Sequence, residues 1–327
     1  MKNNLSHLRS SAPSAKFTLR NEGLRAWLVR ALFCSMLSLV AACASAPSSP
    51  RVQVLAAETF LADIAQNVAG NRLKVEALLP IGVDPHSFEP TPGDLRKVAD
   101  SAALIVNGAG FEEFLARLLE NVGGKRRIIE ASAGLKSRTP TAHEVPDPDH
   151  QGDPHFWLDP NNAVKYVENI RDGLSQVDPA GAATYAANAD AYIAQLRELD
   201  RWIVEQVEAV PPARRRLVTN HESLGYLADR YGFEILGTIV PSVSTGSAPS
   251  AQQLAGLIDQ IKQTHARAIF LETGANPQLA QQIAQETGVK VVAGLYTHST
   301  SDAGGAAPTY IEMIKYDVRA IVGALGQ

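Results

Sequence analysis

From Val52 to the C-terminus, apolar positions follow two alternating rhythms. Short, nearly continuous apolar runs at Val52–Ala57, Leu73–Leu79, Ala102–Asn107 and Arg126–Ile129 read as strands. Between them, three- and four-residue spacing predicts helices over Glu58–Val68, from Thr91 through Ala99, and over Phe111–Leu119. Gly70 stands just past the first of these, where a left-handed cap is cheap. Strands separated by single helices predict a parallel sheet with helices on its faces. The rhythm stops at Ser137–His150, which is polar, acidic and proline-rich and reads as a surface loop.

A helix over Ala163–Leu174 follows, then a longer one from Asp178-Pro179 to about Val210, where Pro211-Pro212 stops it. Its apolar stripe runs through Tyr185, Ala189, Tyr192, Leu196, Leu199, Ile203 and Val207. Roughly thirty helical residues span about 45 Å, which suits a strut between two lobes. The alternation then resumes. Strands are expected at Leu217–Thr219, Phe233–Val240, Ala268–Leu271 and Val289–Leu295, and helices end at Tyr231 and cover Ser250–Thr264, Pro277–Thr287 and Thr309–Leu325. The expected fold is α/β: two lobes, each a mainly parallel sheet flanked by helices, joined by one long rigid helix. The divisions fall at 52–177, 178–210 and 211–327.

The start of the chain follows neither rhythm. Residues 1–30 carry six Lys/Arg and one acid, and the apolar run Ala31–Ala42 is too short to span a bilayer, so 1–43 reads as a signal peptide. It ends Leu39-Val40-Ala41-Ala42-Cys43, which resembles a bacterial lipobox with Cys43 as the lipidated residue. Residues 44–51 (ASAPSSPR) would be a flexible tether. Without the leader, 24 basic residues face 33 acidic ones, a net charge of −9. An acidic exported domain is a poor nucleic-acid binder. The chain's two cysteines, Cys34 and Cys43, both lie in the leader. The rest therefore has no disulfide and no thiolate metal site, and any metal must be held by nitrogen and oxygen.

The chemistry rests on histidine. The chain has eight, and two follow the same turn sequence 69 residues apart: Asp84-Pro85-His86 and Asp153-Pro154-His155. Proline fixes the incoming backbone, so each imidazole can present one nitrogen in a set direction. His221 and His298 likewise follow predicted strands, and ligands of open α/β sheets bind at strand carboxyl ends. His7 is in the leader, His143 and His150 are in the loop, and His265 suits a helix C-terminus. No phosphate-binding glycine loop precedes either lobe's first helix.

The segments GVDPHSFEPTPGD, DPHFWLDP, VTNHESLGYLADRYG, IFLETGANP and LYTHSTSDAGG…PTYIEMIKYD together resemble the metal-specific solute-binding proteins of bacterial ABC importers. This is the zinc/manganese cluster with ZnuA-, TroA- and PsaA-like proteins and AztC, and the resemblance covers Val52 to Leu325. It implies two α/β lobes bridged by one helix, with the metal in the cleft between them. It also implies a lipid-anchored, exported, monomeric binder that passes a divalent ion to a permease and its ATPase. By position, His86, His155 and His221 match the family's first three ligands, and His at the third favours zinc. At the fourth, His298 stands where members usually have Asp, which leaves the fourth ligand and the compensation of the ion's charge open; Asp302 is the rival contact. Glu272 matches a recurrent glutamate that orients a ligand.

Imidazole nitrogen suits Zn2+ better than Mn2+, which prefers carboxylate oxygen. Zinc is therefore the expected ion, with a manganese-binding member of the same family as the alternative. A zinc-dependent hydrolase is the competing class, but the chain has no HExxH and no general base placed near these histidines.

Overall fold

The computed structural model describes residues 53–139 and 152–326. The leader, Cys43, the tether and His143 and His150 lie outside these residues. Two four-stranded sheets carry the fold. The first half runs β1 (Val54–Ala56), α1 (Thr59–Ala69), β2 (Val75–Ala77), α2 (Pro92–Asp100), β3 (Ala103–Val106), α3 (Leu115–Val122) and β4 (Arg127–Glu130). Helices α4 (Pro160–Val177) and α5 (Ala182–Glu208) follow. The second half runs β5 (Arg216–Thr219), α6 (Gly225–Tyr231), β6 (Glu234–Thr238), α7 (Ala251–Thr264), β7 (Ala268–Glu272), α8 (Gln278–Thr287), β8 (Lys290–Leu295) and α9 (Tyr310–Gly326).

The strand orders are β2-β1-β3-β4 and β6-β5-β7-β8, and every pairing is parallel. The two sheets therefore share one order, and all their carboxyl ends point to one edge of each sheet. Both faces are covered, which explains why β3 (ALIV) and β7 (AIFLE) read as unbroken apolar runs. Successive side chains go to opposite sides. Val54, Ala56, Ala103, Ile105, Leu217, Ala268 and Phe270 join a large core with α4, α5 and α9. Leu55, Leu104 and Val106 turn the other way, onto α2 and α3. Val218, Ile269 and Leu271 do the same onto α7 and α8.

The stripe expected on the long helix is buried as expected, from Tyr185 to Val207. The helix itself begins later than the sequence suggests. Pro179–Gly181 form a separate 3-10 turn, and α5 has 27 residues, about 40 Å. Asp178, read as the helix start, is taken up by Arg72 and by the Tyr185 hydroxyl, which donates to it at 2.5 Å. Helix α3 also starts late, at Leu115 rather than Phe111. Gly108, Ala109 and Gly110 all have positive φ (84°, 54° and 80°), and a Cβ on Gly108 would lie 2.2 Å from Glu130 Cγ. This left-handed turn swings Phe111 inward. The Glu112 carboxylate then accepts from the amides of Asn107 and Gly108, at 2.5 and 3.1 Å, instead of starting a helix.

Candidate metal centre

Four turns converge, two of them directly after strands. His86 sits in a 3-10 turn after β2, and His155 just before the 3-10 turn Phe156–Leu158. His221 follows β5 and His298 follows β8. In both Asp-Pro-His turns the aspartate accepts from the histidine's own amide: Asp84 Oδ1 from His86 N at 3.0 Å, Asp153 Oδ1 from His155 N at 2.9 Å. The repeated tripeptide is thus a side-chain-closed turn, with aspartate supplying the closure and proline the fixed φ. That role for the aspartates is legible in the repeat itself, although the sequence reading gave it only to proline.

The four imidazoles are buried, each 7% exposed or less. One ligand-capable atom from each lies within 4.8 Å of the others. Their six centroid separations are 5.1, 5.1, 5.4, 5.6, 5.6 and 5.7 Å, close to a regular tetrahedron. Zn–N bonds of about 2.0–2.1 Å, plus a ring radius of about 1.15 Å, would give edges of about 5.1–5.3 Å. The Nε2 atoms of His155 and His221 face each other at 3.3 Å, close to the edge of about 3.3–3.4 Å that two nitrogens keep on a tetrahedral zinc. Among the described residues, both ring nitrogens of His86, Nδ1 of His221 and Nε2 of His298 lack a hydrogen bond of good geometry. Buried polar atoms without partners are costly, and a shared cation would satisfy one nitrogen of His86 and Nε2 of His298 together.

Carboxylates stand behind the rings. His155 Nδ1 is 2.9 Å from Asp153 Oδ1, and His221 Nδ1 is 2.7 Å from Glu272 Oε1. Glu272 Oε2 lies 3.7 Å from His298 Nδ1, so one carboxylate serves two rings, and Ser223 Oγ donates to its other oxygen at 2.8 Å. A proton held at Nδ1 by Asp153 leaves the Nε2 lone pair of His155 facing inward, and the Glu272 carboxylate beside Nδ1 favours the same tautomer at His221. His86 Nδ1 is 3.5 Å from Glu113 Oε1. Phe111 closes the cluster edge-on to His86 at 5.1 Å, and Trp157 lies 5.2 Å from His155. Trp157 also donates from Nε1 to Thr297 O at 2.8 Å, fastening the His298 turn to the first half. Sequence reasoning missed Glu113 and Phe111, which reach His86 across the fold rather than along the chain.

The rings differ electrostatically. Burial pushes His86 down, and His298 down to about 3, although Glu272 works against the latter shift. Burial also disfavours charge on His221, but the charge and hydrogen bond of Glu272 outweigh it and raise its pKa. Glu272 itself, despite burial, is held down to about 2, chiefly by His221. Four neutral rings would carry no charge against a divalent ion. Glu272, Asp153 and Glu113 stand against the rings, so negative charge lies next to them even though position 298 is not an aspartate. Asp302, the rival fourth contact, is exposed and outside the cluster.

A family model described as "Zinc-uptake complex component A periplasmic" matches residues 54–324. The chain belongs to the ZnuA/TroA/PsaA family of metal-binding solute-binding proteins. It is 35% identical over 277 residues to the manganese-binding lipoprotein MntA of Halalkalibacterium halodurans, covering 84% of this chain and 89% of that one. It is 32% identical over 303 residues to the iron-binding protein YfeA of Yersinia pestis, covering 90% and 94%. Among solved structures, the periplasmic zinc-binding protein TroA of Treponema pallidum superposes with a TM-score of 0.76 at 26% identity, covering 85% of this chain and all of that one. Members of this family are solute-binding proteins and not enzymes, which removes the hydrolase reading. Among the described residues, no helix is long and apolar enough to cross a membrane.

Proposed function

We propose that this protein is an extracytoplasmic zinc-binding protein that delivers Zn2+ to an ABC importer's permease, with the ATPase driving uptake. The reading is carried by the tetrahedral set of His86, His155, His221 and His298, with Asp153 and Glu272 orienting ligands from behind. Four imidazoles are a borderline-soft, nitrogen-only donor set of the kind zinc takes up and the harder manganese disfavours. Residues 52–177 and 211–327 act as the two lobes and 178–210 as the link, so each lobe supplies two ligands. The protein acts as a monomer, held to the membrane by a lipid on Cys43, and its family role needs no nucleic acid.

Manganese is the second reading, because MntA, a relative at 35% identity, is named for it. Equilibrating the purified mature domain with equal zinc and manganese, followed by elemental analysis, separates the two. Zinc should be retained at one ion per chain with little manganese; a manganese-loaded protein would overturn the choice of ion. The anchor has its own test. Cys43→Ser should move the protein from the membrane to the soluble fraction, and a Cys43→Ser protein that stays wholly membrane-bound would refute it.

A further inference from the structure

Between β6 and α7 the chain makes a loop that is buried where loops are ordinarily exposed. Ser242, Val243 and Ser244 are 3, 7 and 6% exposed. On one side the loop is bonded to the turn that carries His221: Glu222 N donates to Ser242 O at 3.0 Å, and Val240 N to Asn220 O at 2.8 Å. On the other side it reaches the turn that carries His86. Ser244 Oγ donates to Glu113 Oε1 at 2.8 Å, and Thr245 Oγ1 donates to Asp84 Oδ2. These two carboxylates flank His86: Asp84 accepts from its amide, and Glu113 lies 3.5 Å from its Nδ1. The loop is also tied to itself, with Ser244 N donating to Ser242 Oγ at 2.9 Å and Gly246 N to Ser244 Oγ at 3.2 Å.

We infer that residues 242–245 form a strap that fixes His86 relative to His221, and that Ser244 and Thr245 are positioning residues that slow the ion's escape. The inference rests on the metal reading of the four histidines. Both bonds run from hydroxyl to carboxylate, the stronger class of hydrogen bond, and both span the two halves of the molecule. Breaking both would loosen the side of the His86 turn where Glu113 meets solvent, while Gly82 N, which donates to Ser299 Oγ at 2.9 Å, still ties its other side to the second half. Entry depends on diffusion and on the negative charge of Asp84 and Glu113, which the strap's hydroxyls do not alter. The effect should therefore fall on release.

The test compares the parent with Ser244→Ala/Thr245→Val, which removes both hydroxyls, and Ser244→Thr/Thr245→Ser, which keeps them. Zinc release into excess chelator should be at least about tenfold faster in the first, with association within about threefold of the parent. The hydroxyl-keeping pair should restore slow release. Without metal, amide exchange at His86 should quicken in the hydroxyl-free variant while its melting temperature holds, a local loosening that general destabilisation would not produce. If the double variant folds poorly, Thr245→Val alone is read the same way, with release several-fold faster. Parent-like release from hydroxyl-free protein would overturn the strap and leave the metal site standing. Fast release from both pairs would show that shape and not hydrogen bonding matters, which also overturns it. A parent that holds no divalent ion would overturn the metal reading, and the strap's role in release with it.

Discussion

Saturating zinc at pH 7.5 should raise the melting temperature of the mature domain by on the order of 10 °C, and the gain should shrink as the pH falls. The ion ties together turns from both halves and has no such set of ligands in the unfolded chain, so binding energy adds to folding energy. At free zinc a thousandfold above Kd the gain is about 4 kcal/mol, and a domain of this size shifts by about 2–4 °C per kcal/mol. The pH dependence has a particular source. His86 and His298, pushed down by burial, are already neutral and offer the ion no competing proton. His221 is raised by Glu272 against its burial, so the metal-free protein keeps a proton there to higher pH than a free imidazole would, and zinc must displace it wherever it is held.

The signs follow from these directions. In the metal-free protein, the raised His221 contributes stability that is full below its unfolded value of about 6.5 and is lost as pH rises through its folded pKa. The depressed His86 and His298 act oppositely, since the unfolded chain takes up protons below about 6.5 that the folded one refuses. Glu272, held to about 2, contributes above the unfolded carboxylate range and loses that contribution as pH falls toward 2. The zinc-induced increment therefore grows as pH climbs past 6.5 and His221 gives up its proton. Differential scanning calorimetry with and without zinc, from pH 5.5 to 8, measures this increment directly. An unchanged melting curve at pH 7.5 would refute the metal reading.

Much of this architecture can be read from the chain because its strands are buried on both faces. Runs such as Ala103–Val106 and Ala268–Glu272 have no polar side to blur them, and the helices between them carry a clean apolar stripe. His221 and His298 were legible for a related reason, and His86 and His155 through their repeated Asp-Pro-His turn. A parallel sheet gathers its carboxyl ends, so residues just past strands become neighbours without any pairing information. Boundaries were less legible where tertiary contacts decide them. Phe111 has the spacing of a helical residue, but the left-handed Gly108–Gly110 turn sends its ring to His86. Asp178 reads as a helix start and is instead bound by Arg72 and Tyr185. Glu113, Ser244 and Thr245 carried no signal at all. Each is an ordinary polar residue until the fold sets it against a group far along the chain.

Replacing the ligands one at a time should separate three histidines that hold the ion from one whose loss is partly tolerated. His86→Ala, His155→Ala and His221→Ala should each lower zinc affinity by at least about a hundredfold, the upper end of what loss of a supporting hydrogen bond alone costs. Asp153→Asn, which keeps the shape but weakens the grip on His155 Nδ1, should cost about tenfold to a hundredfold. His298→Ala should weaken retention less than the other three, since water can enter the vacated position beside the exposed Asp302–Gly305 segment. His298→Asp should behave differently from both. It places a carboxylate near Glu272, whose Oε2 lies 3.7 Å from the present ring, so two like charges would share a buried site when no metal is there. The metal-free variant should be less stable, and a divalent ion should be needed more to relieve the repulsion. The added oxygen donor also shifts the set toward harder ions, so the ratio of manganese to zinc affinity should rise relative to the parent. Chelator competition across the series decides the coordination number. Should His298→Ala bind zinc as tightly as the parent while the other three lose it, the centre has three histidine ligands and His298 only overhangs it.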